Sequence, residues 1–332
     1  MKVAINGFGR IGRLVLRAFF ESTKYDFKVV AINDLLNIDS ALHLLKYDSV
    51  HGMFLHDVQK ISDTLFSVND KRITYISEKS PGNLPWNELD VDLVLECTGI
   101  FKTRKQCQAH IRAGAKRVLL SCPSDEVDRT VVYGVNDDSI DRINDVIISN
   151  ASCTTNCLAP LVKAIHKEVG IMSGFATTVH SYTGDQRLID AGHADIRRAR
   201  AAALNMIPTS TGTTKAIEQI FPELSGKLSG LSIRVPTANV SMVDFTFYTS
   251  RKTTADDLNA AVEKYANGPL NGVLGYANES LVSSDFNHNP LSSIVDTQLT
   301  KVIASNLAHM VAWYDNEWGF SNRMLDVSLR FL

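Results

Sequence analysis

The stretch Val3-Ala-Ile-Asn-Gly-Phe-Gly-Arg-Ile-Gly12 decides the fold. A short apolar run stops at Asn6-Gly7, and Gly7, Gly9 and Gly12 then make the spacing G-x-G-x-x-G. Ile11, Leu14, Val15 and Ala18 follow at the helical period. In such a strand–turn–helix the first glycine permits the tight turn and the second lets a pyrophosphate approach the backbone. The third allows close helix–strand packing. Free N–H groups at the helix start hold the phosphates. The motif also requires an acidic residue about 20 positions on, at the tip of the second strand. The run Val29-Val-Ala-Ile32 ends at Asn33-Asp34, and Asp34 meets that requirement.

Outward from this turn, Leu93–Leu95, Val118–Leu120 and Val146–Ile148 read as further strands separated by helical patterns. That alternation predicts an α/β fold: a Rossmann-type, doubly wound parallel sheet. After about residue 150 the texture changes. Val240–Tyr248 alternates with a period of two, which suits a mostly antiparallel sheet in an α+β domain. Thr254-x-x-Asp257 predicts a capping box for the helix bearing Leu258, Ala261, Val262 and Tyr265. Residues 181–206 show no clear period and read as a long functional loop. A chain of 332 residues is long for one core, so two domains are expected. We draw them as 1–150 and 151–314.

Composition excludes several classes. Balanced charge, 34 basic against 36 acidic residues, offers no footprint for nucleic acid and no polybasic membrane anchor. No apolar run approaches the length of a membrane span. The amino terminus lacks the apolar core of a signal peptide. Five cysteines, at 97, 107, 122, 153 and 157, match no zinc spacing, so no metal is expected. An odd count without a secretion signal points to reduced thiols in the cytoplasm.

One cysteine stands apart. Cys153, in Ser149-Asn-Ala-Ser-Cys-Thr-Thr-Asn156, follows a strand and precedes Leu158, Leu161, Val162 and Ile165, spaced as one helix face. A thiol at a helix start feels N–H dipoles that favour its anion, so its pKa is expected below the free value. Pro160 is expected to kink or delay that helix. A nucleophilic cysteine needs a base. Of nine histidines, His180 is singled out because it ends the strand beginning at Phe175 and opens the long loop. Cys157 reads as core-facing, and Cys97, Cys107 and Cys122 as structural.

Seven motifs occur in order: N-G-F-G-R-I-G, S-N-A-S-C-T-T-N-C-L-A-P, H-S-Y-T-G-D-Q, R-R-A-R-A-A-A, P-T-S-T-G, R-V-P-T and W-Y-D-N-E-W-G-F-S-N-R. Together they closely resemble the phosphorylating glyceraldehyde-3-phosphate dehydrogenase family over essentially the whole chain. The resemblance implies that Cys153 attacks the aldehyde, with His180 accepting the proton. It implies Thr183 and Arg234 at the site for the substrate's own phosphate. Ser152, Thr154, Arg198, Thr211 and Gly212 match the site for the attacking phosphate. Arg10, Ile11, Asp34, Lys79, Ser121 and Asn316 fall at NAD-contact positions beside the three glycines. The resemblance also implies that a terminal helix in 315–332 completes the first domain. Family members are homotetramers whose loops matching 181–206 reach towards a neighbour's cofactor.

Two departures matter. Phe320 stands where many members carry tyrosine near the nicotinamide. Ala191-Gly192 replaces the Leu-Pro common in strictly NAD-using members, and small residues there accompany NADP use in plastid-type members. The expectation is therefore NAD as main cofactor with measurable NADP use. The nearest rival is erythrose-4-phosphate dehydrogenase, in which water resolves the thioester. A non-catalytic NAD-binding regulator or adhesin is the rival from another class.

Overall fold

The computed structural model describes all of residues 1–332, and the chain divides into two compact units. One comprises Met1–Val131, Asn136–Ala151 and Ser321–Leu332; the other comprises Val132–Val135 and Ser152–Phe320. No helix is long and apolar enough to cross a membrane.

The first unit is built on one nine-stranded sheet. Its order is Arg129–Thr130, Ile147–Ser149, Arg117–Leu120, Leu93–Glu96, Lys2–Asn6, Lys28–Asn33, Lys71–Ile76, Leu65–Val68 and Val58–Ser62. Pairing is parallel from Arg129–Thr130 as far as Lys71–Ile76. The last two strands add an antiparallel edge that the sequence patterns did not reveal. Ala4, Ala31, Val94 and Val118 are register neighbours on one face and pack with Trp86 and Cys107. The helix Arg10–Glu21 covers the opposite face, where a Cβ on Gly12 would lie 3.2 Å from Ile5 Cγ2. The helix Arg104–Arg112, which carries Cys107, lies on the Ala4 face, so the sheet is doubly wound as expected. Lys2–Asn6 has Lys28–Asn33 on one side and Leu93–Glu96 on the other. The winding reverses there, which opens a crevice at the carboxyl ends of the strands.

The second unit contains an eight-stranded sheet with seven strands in the order Ile207–Thr209, Leu228–Val235, Ile171–Ser181, Ser241–Thr249, Leu307–Tyr314, Ser293–Asp296 and Leu274–Ala277. Lys301–Ile303 pairs beside Leu307–Tyr314. Pairing is mostly antiparallel, but Ile171–Ser181 runs parallel to Leu228–Val235, and Leu274–Ala277 to Ser293–Asp296. The helix Ala255–Ala266 begins with the capping box of Thr254 and Asp257. The helix Cys153–Val169 passes through Pro160 without delay, contrary to expectation. Its flanks are buried nearly all round, from Thr154 to Ile165. Tertiary packing of that extent outweighs a proline penalty of about 3 kcal/mol.

Candidate active site

The thiol is placed by a capped helix. Ser152 is the N-cap: its Oγ accepts from Thr155 N at 3.1 Å, and Cys153 is the first helical residue. Immediately before it, Ala151 adopts a positive φ of 57°, a region costly for residues with a Cβ. His180 is the penultimate residue of Ile171–Ser181 and is 3% exposed. Its Nε2 lies 3.5 Å from Cys153 Sγ. The parallel register pairs His180 with Arg234, which explains why the guanidinium meets the imidazole. Arg234 Nη1 is 2.8 Å from His180 Nδ1 and 3.3 Å from the Ser181 carbonyl, while Nδ1 is 2.7 Å from that same carbonyl. Nδ1 cannot both accept from Arg234 and donate. The tautomer competent as a base carries its proton on Nδ1 and gives it to the Ser181 carbonyl. Arg234 Nη1 then donates to that carbonyl and not to the ring, and Nε2 is left open towards sulfur.

Burial pushes the Cys153 thiol up, against the pull of the Arg234 guanidinium and of the Thr154 hydroxyl and N–H groups. The helix start therefore does not lower this pKa as the sequence suggested; desolvation of the anion is the larger effect. Burial, and then the Arg234 charge, hold His180 down at about 3. Each group resists ionising alone, so the charge of either is accommodated only beside the other's. Two of the remaining thiols have other partners: Cys107 Sγ donates to the Phe101 carbonyl at 3.5 Å and Cys157 Sγ to Ser293 Oγ at 3.6 Å. Burial raises Cys107 to about 12 and Cys122 to about 11, and pushes Cys97 and Cys157 up as well.

Tyr314, which the sequence reading passed over, completes the floor of this site. Its Oη lies between Thr154 Oγ1 at 2.9 Å and Thr178 Oγ1 at 2.8 Å, and its ring meets His180 edge-on at 6.0 Å. The hydroxyl of Thr154 is thus turned inward. Ser241 was also missed: its Oγ accepts from Ser181 N at 3.0 Å and donates to Asn316 Oδ1 at 3.0 Å. Asn316 Oδ1 accepts from Ser181 Oγ too, at 2.9 Å, so only the amide N–H groups of Asn316 remain to serve a ligand. Tyr314 and Ser241 lie on separate strands, Leu307–Tyr314 and Ser241–Thr249, and only the three-dimensional register brings them to the helix start at Thr154 and to Ser181.

The matched anion residues are less uniformly gathered. Arg198 is ion-paired with Asp185, and with Asp195 at 3.3 Å, and its charge acts on Arg234. Thr183 follows in a turn where its N–H donates to Gln186 Oε1 at 3.0 Å. Thr211 Oγ1 donates to Thr213 Oγ1 at 2.9 Å, and Gly212 is the N-cap of Thr213–Ile220 with no side-chain cap. Phe320 is buried, and both Ala191 and Gly192 are exposed.

In the first unit, Gly7, Gly9, Asp34 and Lys79 line a cavity of about 460 Å³ together with Asn6, Asn33 and Thr98. Gly7 has φ +92°, and a Cβ there would lie 2.6 Å from Thr98 N. A Cβ on Gly12 would lie 2.0 Å from the Gly7 carbonyl oxygen, whereas one on Gly9 would meet nothing within 4 Å. The helix starting at Arg10 has no side-chain cap and no acidic residue in its first turn. Open space over Gly9 and an uncapped helix start fit a dinucleotide pyrophosphate. Asp34 Oδ2 accepts from Phe8 N at 2.6 Å and Oδ1 from Leu36 N at 2.9 Å, which holds the acid over the turn. Arg10 is ion-paired with Asp48, and Ser121 N donates to the Glu96 carbonyl. Arg10, Ile11, Gly12 and Ser121 do not line the cavity, and Asn316 belongs to the second unit.

A dinucleotide-type α/β unit, with an α+β unit carrying a thiol–imidazole pair, defines the class of thiol-dependent dehydrogenases. The model of the glyceraldehyde 3-phosphate dehydrogenase NAD binding domain matches residues 1–104, and that of the family's C-terminal domain matches 152–316. The chain is 54% identical over 329 residues to the glyceraldehyde-3-phosphate dehydrogenase of Cereibacter sphaeroides, covering 99% of this chain and 98% of the relative. It is 53% identical over 331 residues to the chromosomal enzyme of Cupriavidus necator, with 99% and 98% covered. The chloroplastic enzyme of Arabidopsis thaliana is 49% identical over 328 residues, with 99% of this chain and 83% of the relative covered. The chain belongs to the glyceraldehyde 3-phosphate dehydrogenase family.

Proposed function

We propose that the protein oxidises glyceraldehyde 3-phosphate to 1,3-bisphosphoglycerate, with NAD as acceptor and inorganic phosphate as co-substrate. The observation that carries this reading is Cys153 Sγ, at the first position of a capped helix, 3.5 Å from Nε2 of a buried histidine, in a chain of this family. Cys153 Sγ attacks the aldehyde carbon as its proton passes to His180 Nε2, and His180 returns that proton to the alkoxide oxygen, giving a hemithioacetal. His180 then takes the hemithioacetal hydroxyl proton while the carbon is oxidised to a thioester. Gly7, Gly9 and Asp34 would hold NAD, which when bound would supply the two-electron acceptor for that oxidation. Phosphate attacks the thioester and Cys153 departs as a thiolate, which Arg234 and the Thr154 N–H stabilise. Arg234 and Thr183 hold the substrate's phosphate, and Ser152, Thr154, Arg198, Thr211 and Gly212 receive the attacking one. Arginine suits such sites because it grips phosphate in a bidentate fashion.

Three further readings go with this one. The 181–206 loop carries Leu188, Ile189, Ile196, Leu204 and Met206 exposed by 73–83%, and such apolar surface supports assembly into a homotetramer. Sedimentation of a monomer would refute it. Ala191 and Gly192 present little bulk, which supports some NADP use, while the Asp34 carboxylate opposes a 2′-phosphate and keeps NAD preferred. An NADP rate equal to background would reject that reading. The five free cysteines support a reducing compartment such as the cytoplasm. The main reading is tested by NAD reduction with glyceraldehyde 3-phosphate, with and without phosphate. Phosphate-independent turnover would favour a hydrolytic, erythrose-4-phosphate-type enzyme. Turnover by Cys153→Ser would remove the thioester altogether.

A further inference from the structure

Behind the glycine turn lies a buried polar network that no motif announces. It centres on Glu96, the last residue of Leu93–Glu96 and only 1% exposed. Glu96 Oε2 accepts from Asn6 Nδ2 at 2.6 Å and from His110 Nε2 at 3.0 Å. Glu96 Oε1 accepts from Thr98 N at 2.8 Å and from the Thr98 hydroxyl.

Apart from the 3.5 Å approach of Asn6 Nδ2 to His110 Nε2, two N–H groups that both face Glu96, the direction of every bond in the network is determined. An indole N–H can only donate, and Trp86 Nε1 donates to His110 Nδ1 at 2.9 Å. Nδ1 therefore accepts, and the His110 proton sits on Nε2, facing Glu96. On the other side, Asn33 Oδ1 accepts from Glu78 N at 2.9 Å, and Asn33 Nδ2 donates to the Glu78 carbonyl at 2.9 Å and to Asn6 Oδ1 at 2.7 Å. This orients Asn6 with its amide N–H groups towards Glu96. Two donor chains, one from Trp86 and one from Asn33, end on a carboxylate that only accepts.

These partners are also walls of the cavity. Asn6, Asn33, Glu78 and Thr98 line it beside Gly7, Gly9, Asp34 and Lys79, whereas Glu96 does not. Gly7 packs so closely on Thr98 that the place of Thr98 decides that of the turn.

We propose that Glu96 is the positioning residue of the dinucleotide cradle: its buried carboxylate holds Asn6, Asn33 and Thr98 in the geometry that binds NAD, without touching the ligand. This rests on the reading of the cavity as the NAD site. Glu96→Gln is nearly isosteric, yet its amide N–H groups would face the Asn6 and His110 donors at the Oε2 position. At the Oε1 position they would face the Thr98 N–H, and only the Thr98 hydroxyl can turn to accept. His110 cannot adapt by moving its proton, because Trp86 occupies Nδ1. Buried donors left facing donors cost enough to weaken binding roughly ten-fold or more. Trp86→Phe frees Nδ1, so in that background His110 can switch tautomer and accept from the new amide.

The test is equilibrium dialysis of NAD with the full chain in the absence of substrate. E96Q is expected to raise Kd about ten-fold or more, while NAD-free alkylation of Cys153 keeps its rate. The added loss on going from W86F to W86F/E96Q is expected to be several-fold smaller than that from wild type to E96Q. In the wild-type protein, the ¹⁵N shifts of His110 are expected to show protonation at Nε2, a reading that needs no variant to fold. An E96Q Kd within two-fold of wild type, equal losses in both backgrounds, or a His110 proton on Nδ1 would each overturn the proposal. Failure of the wild type itself to bind NAD would remove the cofactor reading first.

Discussion

Replacing His180 with asparagine removes the imidazole from its 3.5 Å approach to Cys153 Sγ. At that separation and an effective dielectric constant near 20, the attraction between thiolate and imidazolium is about 5 kcal/mol. This attraction offsets the burial that otherwise raises the thiol and depresses the imidazole. In H180N the thiolate keeps Arg234 and the Thr154 donors but loses its counter-charge and its proton acceptor. Stopped-flow alkylation with iodoacetamide across pH reads the thiolate directly. The variant is expected to react at neutral pH at least roughly a hundred-fold more slowly, with its profile moved to higher pH. Turnover should fall by about 10²–10⁴, the usual worth of a positioned general base. Because burial opposes the lone anion, the shift can only be upward. An H180N profile that overlays the wild type would refute the pairing.

The glycine turn makes a paired prediction. Gly12→Ala forces a Cβ against the Gly7 carbonyl and should cost about 3 kcal/mol in urea unfolding, whereas Gly9→Ala should fold normally but bind NAD weakly. Equal stabilities of the two variants would contradict this. Asp48 gives a pH test: burial alone would raise its carboxyl, but the His51 N–H, the Arg10 guanidinium and the Val50 N–H outweigh it and hold it at about 2. A folded pKa below the ordinary value of 3.8 stabilises the fold above about pH 4, and that contribution is lost as pH falls towards 2. Asp48→Asn should therefore lose about 2 kcal/mol at neutral pH and flatten the acid limb of unfolding, and parallel stability curves would rule this out. Arg198→Leu should leave the first NADH burst intact but slow phosphate-dependent turnover and raise the KM for phosphate. A diminished burst with normal phosphate dependence would place Arg198 elsewhere.

The dinucleotide unit was largely legible because its strands are short buried runs bounded by glycine and Asn-Asp, signals that are local in the chain. The edge strands Val58–Ser62 and Leu65–Val68 were not: the exposed Val-Gln-Lys-Ile-Ser lacks an apolar period, and the buried Leu-Phe-Ser-Val is too short to show one. Pro160 misled for a related reason: a rule about helix propensity gives way where packing encloses the helix. The expected fall in the Cys153 pKa failed because position at a helix start is visible in sequence but burial is not. Tyr314, Ser241 and Glu96 escaped notice because their roles come from cross-strand register and side-chain direction. Arg234 was named only through the family likeness; its pairing with His180 follows from a parallel register that no local pattern reveals.

The most direct measurement mixes the enzyme with NAD and glyceraldehyde 3-phosphate without phosphate, followed by quenching and peptide mass spectrometry. One equivalent of NADH per subunit should form in a burst, with an acyl group on the peptide containing Cys153 that disappears when phosphate is added. An undiminished burst from Cys153→Ser, or sustained oxidation with no acylated peptide, would contradict the account.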